Sequence, residues 1–577
     1  MSTERYPLTL LPHTTKLFRD YLALGESAAH VADQSATVGG RDGSPLRAWY
    51  GAAPLGSAWI QPPAAHANAA ALADALERQG VAFGAGPATH ANIAKLRDGA
   101  RAVVTGQQVG LFGGPLLTLL KAATAVARAT QATAETGVEH VPIFWLATED
   151  HDIEEVDQVA LLSATAVETL RTGAARSPGI AMPVGDIAMQ GTIGGLLDQA
   201  SELLHHAPIC ELLRACYAPR TGDAPTFASG FARLMTQLFA SHGLIVMDAA
   251  GREFHALGAS TLRFAIERAG ELEAALLARS AELEAAGYHA QVLVKPGASL
   301  LFLVSEVEGN PGMKDRQALQ RLADGSWRSG AGSAAKSHTT AELLAVLDEA
   351  PERLSPNALL RPVFQDTVLP TTAYIGGPAE VAYFAQSAAL YQRVLGRITP
   401  VLPRLSATLI EPPIGAAMAQ HEVALPDAMR SADDLAQLLA ARAMPVEAKR
   451  RLAAASDVLD EALAAAQSYL GGLDEGLGRS AEVSASKMRY QMGRLRRMAA
   501  TYELQREASL RKHAEAITLH LFPNAHPQER VLAGVWFLAA WQSAHGGSPG
   551  PAMDGGLIAR LVEEAASQSA GHHAIRL

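Results

Sequence analysis

The segment from Arg101 to Asp152 alternates short apolar runs with one long amphipathic stretch, which predicts a strand–loop–helix–strand unit. A β-branched run at Ala102–Thr105 precedes a glycine-spaced loop, Gly106–Gly114. Apolar residues then recur at helical spacing from Leu116 to Thr130. Val141–Ala147 is apolar throughout, as expected of a parallel strand covered on both faces. Because such a crossover is right-handed, the glycine loop and the acidic run after the second strand are predicted to face one crevice.

A second stretch repeats this pattern later in the chain. Arg361–Asp366 and Thr371–Ile375 are predicted as short strands, and Gly376-Gly377-Pro378 begins a helix that extends to about Arg393. Proline suits a first helical position because its missing N–H has no partner there anyway. Since helix N-termini favour anions, we predict that the turns ending at Gly114 and Gly377 point two such termini into one cleft.

Elsewhere the periodicity predicts a buried strand at 243–248, a long helix at 262–286, a hairpin around Lys295-Pro-Gly and a last strand at 401–410. The segment 306–337 is polar and rich in glycine and serine, so it is predicted as a connecting loop. Lys314 and Arg316 in it are predicted to be solvated, and contact with a ligand is the alternative. Ser431 is predicted to cap a helix. Two heptad-like arms separated by the glycine-rich segment 471–478 then predict an antiparallel helical hairpin.

These elements predict an α/β fold with a parallel-sheet core, plus an all-α antiparallel coiled coil. The predicted divisions are a core in three parts (1–159, 236–304 and 346–425), connecting segments at 160–235 and 305–345, a helical coiled-coil domain at 426–520, and C-terminal helices at 521–577 that pack back on the core.

Composition narrows the class of protein. The chain has 577 residues, half of them apolar, and a net charge of −10, which indicates a multidomain globular protein without the overall basic surface of a nucleic-acid binder. The chain has no apolar run of about 20 residues, so no membrane span is predicted. Cys210 and Cys216 are the only cysteines, so no disulfide framework is expected; both are predicted to be buried, and a reducing cytoplasm is the expected compartment.

Polar residues at the predicted strand ends are the candidates for chemistry. Glu149, Asp150, His151 and Asp152 follow the second strand and can bind an ammonium group, accept a proton or hold a cation; the alternative is that they only cap the next helix. In the same way, the glycines of the loop Gly106–Gly114 can form an anion-binding site or only a tight turn. Arg404 is predicted on the same side of the last strand as Ser406, and an arginine there suits a carboxylate or phosphate.

Long motifs resemble a known family. GQQVGLFGGPLLTLLKA, FWLATEDHDIEEV, RPVFQDTVLPTTAYIGGPAEVAYFAQ, PRLSATLIEP and LFPNAHPQERV are similar to signatures of BshC, the cysteine-adding enzyme of bacillithiol biosynthesis. The resemblance spans most of the chain and implies a Rossmann-like core with connecting insertions, a coiled-coil domain and a homodimer. It implies a reaction that joins cysteine to the glucosamine amine of glucosaminyl-malate. It also implies that His572 and His573 lie near the cleft, whereas a disordered tail is the alternative.

For amide formation, we predict that His151, Asp150 or Asp152 is the base, with His151 preferred because its ordinary pKa is closest to neutral. The predicted substrate-binding residues are Gln107, Gln108, Gly110, Gly113, Gly114, Glu149, Gln365, Asp366, Tyr374, Gly376, Gly377, Glu380, Tyr383, Arg404 and Ser406.

The sequence leaves the cofactor and two alternative functions open. ATP or another nucleotide is possible although the chain has no P-loop lysine motif, a pre-activated cysteine is the alternative, and no metal is predicted. The expected partners are cysteine, an amino-sugar malate conjugate and a second copy of the chain, with no nucleic acid or membrane. The alternative functions are a nucleotidylyltransferase or hydrolase on the same sheet, and a non-catalytic dimeric scaffold that binds anions.

Overall fold

The computed structural model describes residues 3–12, 14–31, 45–60, 66–174, 179–189, 191–219, 224–330, 335–545, 556–567 and 571–577. The strands in these residues are β1 (Thr3–Tyr6), β2 (Arg101–Gln107), β3 (His140–Leu146), β4 (Gln158–Leu162), β5 (Val167–Arg171), β6 (Ile245–Asp248), β7 (Ala298–Val307), β8 (Asn310–Arg321), β9 (Trp327–Ser329), β10 (Lys336–His338), β11 (Leu354–Pro356), β12 (Thr371–Gly376), β13 (Val401–Pro403), β14 (Ser406–Ile410) and β15 (His572–Arg576).

The α-helices in the same residues are α1 (Lys16–Val31), α2 (Pro45–Tyr50), α3 (Ala69–Phe83), α4 (Pro87–Arg97), α5 (Leu117–Thr136), α6 (Ile153–Val156), α7 (Ile193–Leu204), α8 (Ala207–Tyr217), α9 (Phe227–Leu238), α10 (Arg252–Leu257), α11 (Ala259–Glu267), α12 (Ala269–Ala285), α13 (Thr340–Glu349), α14 (Arg361–Val368), α15 (Pro378–Val394), α16 (Pro412–Gln420), α17 (Leu425–Ala428), α18 (Ala432–Ala443), α19 (Val446–Leu473), α20 (Glu475–Arg506), α21 (Ala508–Leu521), α22 (Gln528–Val531), α23 (Gly534–His545) and α24 (Leu557–Ala566).

A five-stranded parallel sheet in the order β13-β12-β2-β3-β6 forms the centre of the core. The predicted unit corresponds to β2, α5 and β3, which are neighbours in this sheet, and the predicted α/β class is confirmed. Residues 118–129 of α5 are buried because its alanines and leucines pack between the sheet and the C-terminal helix α24. Strands β2 and β3 are parallel, so their polar C-terminal ends lie at the same edge of the sheet.

A smaller sheet joins the two ends of the chain to the core. Strand β15 lies between β1 and β14, antiparallel to the first and parallel to the second. His572 and His573 are both buried in this strand, so a disordered tail is wrong for these residues. The predicted last strand is divided by Arg404 and Leu405 into β13, in the central sheet, and β14, in this one.

The prediction of a strand at Arg361–Asp366 is wrong, because these residues form helix α14. Pro362 occupies its first turn, and the side chain of Asn357 accepts hydrogen bonds from the N–H groups of Leu359 and Leu360 just before it. Six residues, of which only three are apolar, are too few to separate the helical from the strand periodicity.

The predicted hairpin and loop between 291 and 337 are also wrong. Strands β7 and β8 pair around the turn at Glu308 and Gly309, not around Lys295, and β8, β9 and β10 continue an antiparallel sheet through the segment predicted as a loop. Gly309 has a φ of +83°, a conformation that suits glycine. Arg316 is therefore buried in β8 and not solvated.

The predicted helix 262–286 is two helices, α11 and α12.

The helical hairpin consists of α19 and α20, and Ser431 caps α18 through the N–H of Asp434, as predicted. The break between the arms is at Asp474, whose side chain accepts a hydrogen bond from the N–H of Leu477. In the part of the chain that the structure describes, no helix combines the length and apolar character needed to cross a bilayer.

Candidate functional site

A cavity of about 410 Å³ lies at the C-terminal edge of the central sheet, within the usual size range of small-molecule sites. The ends of β2, β3 and β12 and the first turns of α5 and α15 form its walls. The lining residues are Gly106, Gln107, Gln108, Leu117, Lys121, Trp145, Ala147, Asp150, Glu155, Arg361, Tyr374, Gly377, Pro378, Ala379, Glu380, Tyr383, Arg404 and Arg530.

Some of the predicted site residues line this cavity, and others do not. Those that line the cavity are Gln107, Gln108, Asp150, Tyr374, Gly377, Glu380, Tyr383 and Arg404. Those that lie outside its lining are Gly110, Gly113, Gly114, Glu149, His151, Asp152, Gln365, Asp366, Gly376 and Ser406.

The first glycine turn supports the C-terminal segment and does not face the cavity. Gly114 accepts a hydrogen bond from the N–H of Gly534 (3.2 Å), and the N–H of Leu116 donates to Leu532 (2.8 Å). Both Gly113 and Gly114 have positive φ, and a Cβ on Gly110 would lie 3.1 Å from the Cα of Gly114. The tight turn therefore requires these glycines. The prediction that the turns ending at Gly114 and Gly377 both face one cleft is wrong for the turn at Gly114.

The second glycine turn does line the cavity, but an internal anion already occupies its helix terminus. The N–H of Gly377 donates to Oε2 of Glu380 at 2.8 Å, and the hydroxyl of Tyr374 donates to Oε1 at 2.6 Å. Burial alone would raise the pKa of Glu380, but the charge of Lys121 and the Gly377 N–H outweigh burial and lower it. Glu380 is therefore a fixed carboxylate in the cavity wall.

Lys121 links the end of β2 to the first turn of α15, the helix that follows β12. Its ammonium group donates to the carbonyl of Gly106 (2.8 Å) and to Oε1 of Gln107 (2.9 Å), and it lies 2.5 Å from Oε2 of Glu380. All three donor positions are thus filled, and the side chain is 4% exposed. Sequence reasoning missed this residue; the available signal was a lone lysine within an otherwise apolar helical stretch.

Arg361 provides a cation on the same side of the cavity. It donates to Oε1 of Gln365 and to the hydroxyl of Tyr383, each at 3.0 Å, and its guanidinium lies 5.4 Å from the ring centre of Tyr374. Gln365 and Asp366 are buried behind the wall because α14 is a helix, and Asp366 accepts a hydrogen bond from Tyr391.

Acidic groups form the opposite wall. Asp150 accepts a hydrogen bond from the side chain of Gln108 at 2.7 Å, and Glu155, one turn further on, also faces the cavity. Partial burial, together with the charges of Asp152 and Asp150, raises the pKa of Glu155. Glu155 was not among the predicted site residues, although it belongs to the motif that carries the others.

Glu149, His151 and Asp152 of this run do not line the cavity. Glu149 lies 3.2 Å from Nε2 of the buried His255. Burial alone would lower the pKa of His255, but Glu149 reverses that effect and raises it. His151 packs near Arg316, with 3.3 Å between Nδ1 and Nη1. The preferred base of the sequence prediction is therefore beside the cavity and not in its wall.

Arg404 is bound to a carboxylate of the chain itself. It forms a two-pronged ion pair with Glu529, with distances of 2.5 and 3.0 Å, and Glu529 also accepts hydrogen bonds from Ser406 and from the N–H of Ala407. His572 contacts the hydroxyl of Ser406 at 2.8 Å. The carboxylate partner of Arg404 is thus internal, and three of its five N–H donors are used by Glu529 and the carbonyl of Leu405.

No group of three or more metal-binding side chains is close enough to hold a metal ion in the described ranges. The polar atoms of the cavity are instead arranged in opposed acidic and basic walls, which can bind a molecule that carries both an amine and an acid.

Comparisons with known proteins agree with this architecture. Residues 58–405 match the family model described as "Bacillithiol biosynthesis BshC, N-terminal Rossmann-like domain", and residues 407–544 match "Bacillithiol biosynthesis BshC, C-terminal coiled-coil domain". A protein of Koribacter versatilis is 42% identical over 94% of this chain and 96% of its own length. Proteins of Solibacter usitatus and Salinibacter ruber are 35% and 31% identical, over 76% and 82% of this chain and 80% and 84% of their own lengths. All three are named "Putative cysteine ligase BshC". The two domain matches and the near full-length similarity show that this chain belongs to the BshC family of bacillithiol biosynthesis.

Proposed function

We propose that this chain is a ligase that joins the carboxyl group of cysteine to the amine of glucosaminyl-malate through an amide bond. Family membership and the name that the relatives carry, cysteine ligase, support the reaction class. Cys210 and Cys216 are both buried and form no disulfide, which suits a reducing cytoplasm as the compartment.

The observation that carries this proposal is the division of charge across the cavity. Asp150 and Glu155 form one wall, and Arg361 lies with the Lys121–Glu380 pair in the other. Because Lys121 and Glu380 neutralise each other, Arg361 is the net cation of that wall. A substrate amine is favoured beside the acids and a carboxylate beside Arg361, so the two reacting groups of an amide-forming reaction meet in one cavity.

The amine must lose its proton before it can attack. We assign this step to Asp150 and Glu155, which face the cavity, with Glu155 favoured as the base because its raised pKa is closer to neutral. Gln108 holds Asp150 in place through its side-chain amide. The backbone N–H of His151 donates to the Asp150 carboxylate at 2.7 Å, whereas Nδ1 of its ring lies 3.8 Å from the same carboxylate, so His151 at most positions Asp150.

The direct test is incubation of the purified protein with cysteine and glucosaminyl-malate, with and without ATP, followed by mass spectrometry. We expect a product with the summed mass of the two substrates less one water, and none when cysteine is replaced by N-acetylcysteine methyl ester, which has no free carboxylate. Product only with ATP would assign activation of the carboxylate to the nucleotide. Release of pyrophosphate or hydrolysis products without the conjugate would instead favour a nucleotidylyltransferase or a hydrolase, and binding without turnover would favour a scaffold.

We also propose that α19 and α20 bind the same surface of a second copy. Large apolar side chains along both helices are well exposed, including Val458, Tyr469, Leu495, Met498 and Tyr502, each more than half exposed. A groove of about 430 Å³ between the arms is lined by Leu459 of α19 and by residues of α20, which are Met488, Gln491, Met492, Arg494, Leu495 and Met498. An exposed apolar stripe of this length is typical of a helical interface.

A further inference from the structure

Arg316 is a buried cation behind the acidic wall of the cavity, and the reaction as proposed above gives it no role. It belongs to β8, in the antiparallel sheet of order β10-β9-β8-β7-β11, and its side chain is 7% exposed. A charge that has given up so much hydration is stable only where its donors are satisfied and an opposite charge is near.

Neighbouring strands fix the orientation of the Arg316 guanidinium. Nε donates to the hydroxyl of Ser355 at 2.8 Å, and Nη2 donates to the carbonyl of Pro356 at 3.1 Å; both acceptors belong to β11. The guanidinium also lies 3.6 Å from the ring centre of Phe302 in β7. With these contacts made, Nη1 is the nitrogen that faces the run after β3.

Nη1 lies 3.3 Å from Nδ1 of His151. Because an arginine can only donate, the His151 ring accepts through Nδ1 and carries its proton on Nε2. The backbone N–H of His151 in turn donates to Oδ1 of Asp150 at 2.7 Å. A chain of contacts therefore extends from β8 through His151 to a carboxylate in the cavity wall.

The same guanidinium acts on the acids of the run through its charge. Burial lowers the pKa of Arg316, and the negative charges of Glu149 and Asp150 oppose that effect. By the same interaction, the cation favours the ionised form of both acids. Glu149 also pairs with the buried His255, at 3.2 Å. Outside its own strand, the titratable groups of the described residues that interact with Arg316 are thus Glu149, Asp150 and His151.

We propose that Arg316 is a positioning residue for the acidic wall, which orients Asp150 through His151 and keeps the wall carboxylates ionised beside the substrate amine. This inference rests on the proposed function, because the amine is the group that the ionised acids bind. Arg316 does not line the cavity, so it acts on the substrate only through the run after β3.

The test compares substitutions that separate the charge of Arg316 from its geometry. Arg316→Gln removes the charge, whereas Arg316→Lys keeps the charge but cannot donate to Ser355, Pro356 and His151 together. Arg321→Gln is the matched control, because Arg321 ends the same strand and is exposed. The probe is D-glucosamine, measured by calorimetry between about pH 4 and 6.5, where its amine stays protonated.

Loss of the cation makes protonation of the wall acids easier, so glucosamine binding is lost at a higher pH. We expect the pH of half-maximal binding to rise by about one unit in Arg316→Gln and to stay at the wild-type value in Arg316→Lys and Arg321→Gln. The single-turnover rate at neutral pH is expected to fall roughly tenfold in Arg316→Gln and to recover in part in Arg316→Lys.

Arg316→Met removes the charge in a second way while its stem still packs on Phe302, and it must shift the midpoint as Arg316→Gln does. Circular dichroism at each pH measures the folded fraction, because a purely structural role would lower stability without moving the binding midpoint. An unchanged midpoint in the folded charge-removing variants overturns the proposal, and so does an equal shift in Arg321→Gln.

The two proposals fail in different ways. If the midpoint shifts as expected but the wild-type protein forms no product, the positioning role is supported and the proposed function fails. If the wild-type protein forms product and no midpoint moves, the proposed function stands and the positioning role of Arg316 is overturned.

Discussion

Lys121 and Glu380 illustrate the energetic cost of placing charges in the wall of a site. Each charge has given up most of its hydration, and the pair is stable only because every donor and acceptor around it is satisfied by Gly106, Gln107, Tyr374 and Gly377. Such an arrangement contributes little net stability but holds the two strand ends in a fixed geometry. The Lys121–Glu380 pair therefore serves the site by fixing the positions of the strand ends.

Lys121→Met is expected to destabilise the protein by about 3–5 kcal/mol, because it leaves the Glu380 carboxylate buried without its counter-ion. The free energy of unfolding, measured by urea denaturation, checks this value. The double variant Lys121→Met/Glu380→Gln removes both charges and is expected to be more stable than the single variant. A double variant that loses the sum of the two single losses would show that the pair does not act as a unit.

The choice of base gives a second prediction at the scale of single residues. Asp150→Asn and Glu155→Gln are expected to lower the single-turnover rate by about 10²- to 10⁴-fold, whereas His151→Ala is expected to lower it less than about tenfold. Rapid-quench measurements with mass spectrometry give these rates. A larger loss in His151→Ala than in Glu155→Gln would return the role of base to the histidine.

At the scale of elements, the sequence predicts long periodic units better than short ones. β2, α5 and β3 were predicted because fifteen residues of helical spacing (116–130) lie between two apolar runs, and α5 itself extends to Thr136. Arg361–Asp366 was assigned to the wrong class because six residues show no clear period. Strands β7 and β8 were shifted because Lys295-Pro-Gly and Gly309-Asn-Pro-Gly are both turn signals, and the prediction used the first of them.

The site was predictable only in part, for a different reason. The position of the cavity follows from strand order, and the sequence therefore identified Gln107, Gln108 and Asp150. Which charges are free for a ligand depends on contacts between distant segments. Arg404 finds its partner Glu529 125 residues later, and no local pattern reveals that pairing.

Strand β15 makes stability depend on pH. His572 is fully buried between the hydroxyls of Ser406 and Thr408, and burial lowers its pKa to about 4 from the ordinary value of 6.5. The unfolded chain therefore binds a proton that the folded chain does not bind until a lower pH. The stability contributed by neutral His572 is full above about pH 6.5 and is lost as the pH falls towards about 4.

We expect this loss to amount to about 3 kcal/mol between those two pH values. His572→Gln is expected to flatten the decline in unfolding free energy over this range, whatever its effect at neutral pH. Chemical denaturation at a series of pH values measures the slope. His289→Gln, which changes an exposed histidine, is the control and is expected to keep the wild-type slope. An equal slope in His572→Gln would assign the acid sensitivity to other groups.

At the scale of the whole molecule, distant parts of the chain complete one site. The central sheet supplies the strand ends, α15 supplies Glu380 and Tyr383, and the segment after the coiled coil supplies Arg530 and the Glu529 carboxylate that holds Arg404. The helical hairpin itself contributes no lining residue to the cavity at the sheet edge. Its exposed apolar stripe is therefore available for assembly and is not needed to close the site.

Leu495→Asp places a charge at the centre of that stripe, where Leu495 is 52% exposed in the single chain. If two copies pack through the stripe, the buried charge has no partner and the dimer is expected to dissociate. Sedimentation velocity should then change from about twice the chain mass of 60.5 kDa to a single chain, with unchanged far-ultraviolet circular dichroism. Lys512→Glu, an exposed change on α21 outside the stripe, should remain dimeric. Because the hairpin does not line the cavity at the sheet edge, the monomeric variant should retain single-turnover activity; its loss would mean that the second copy is needed to order the site.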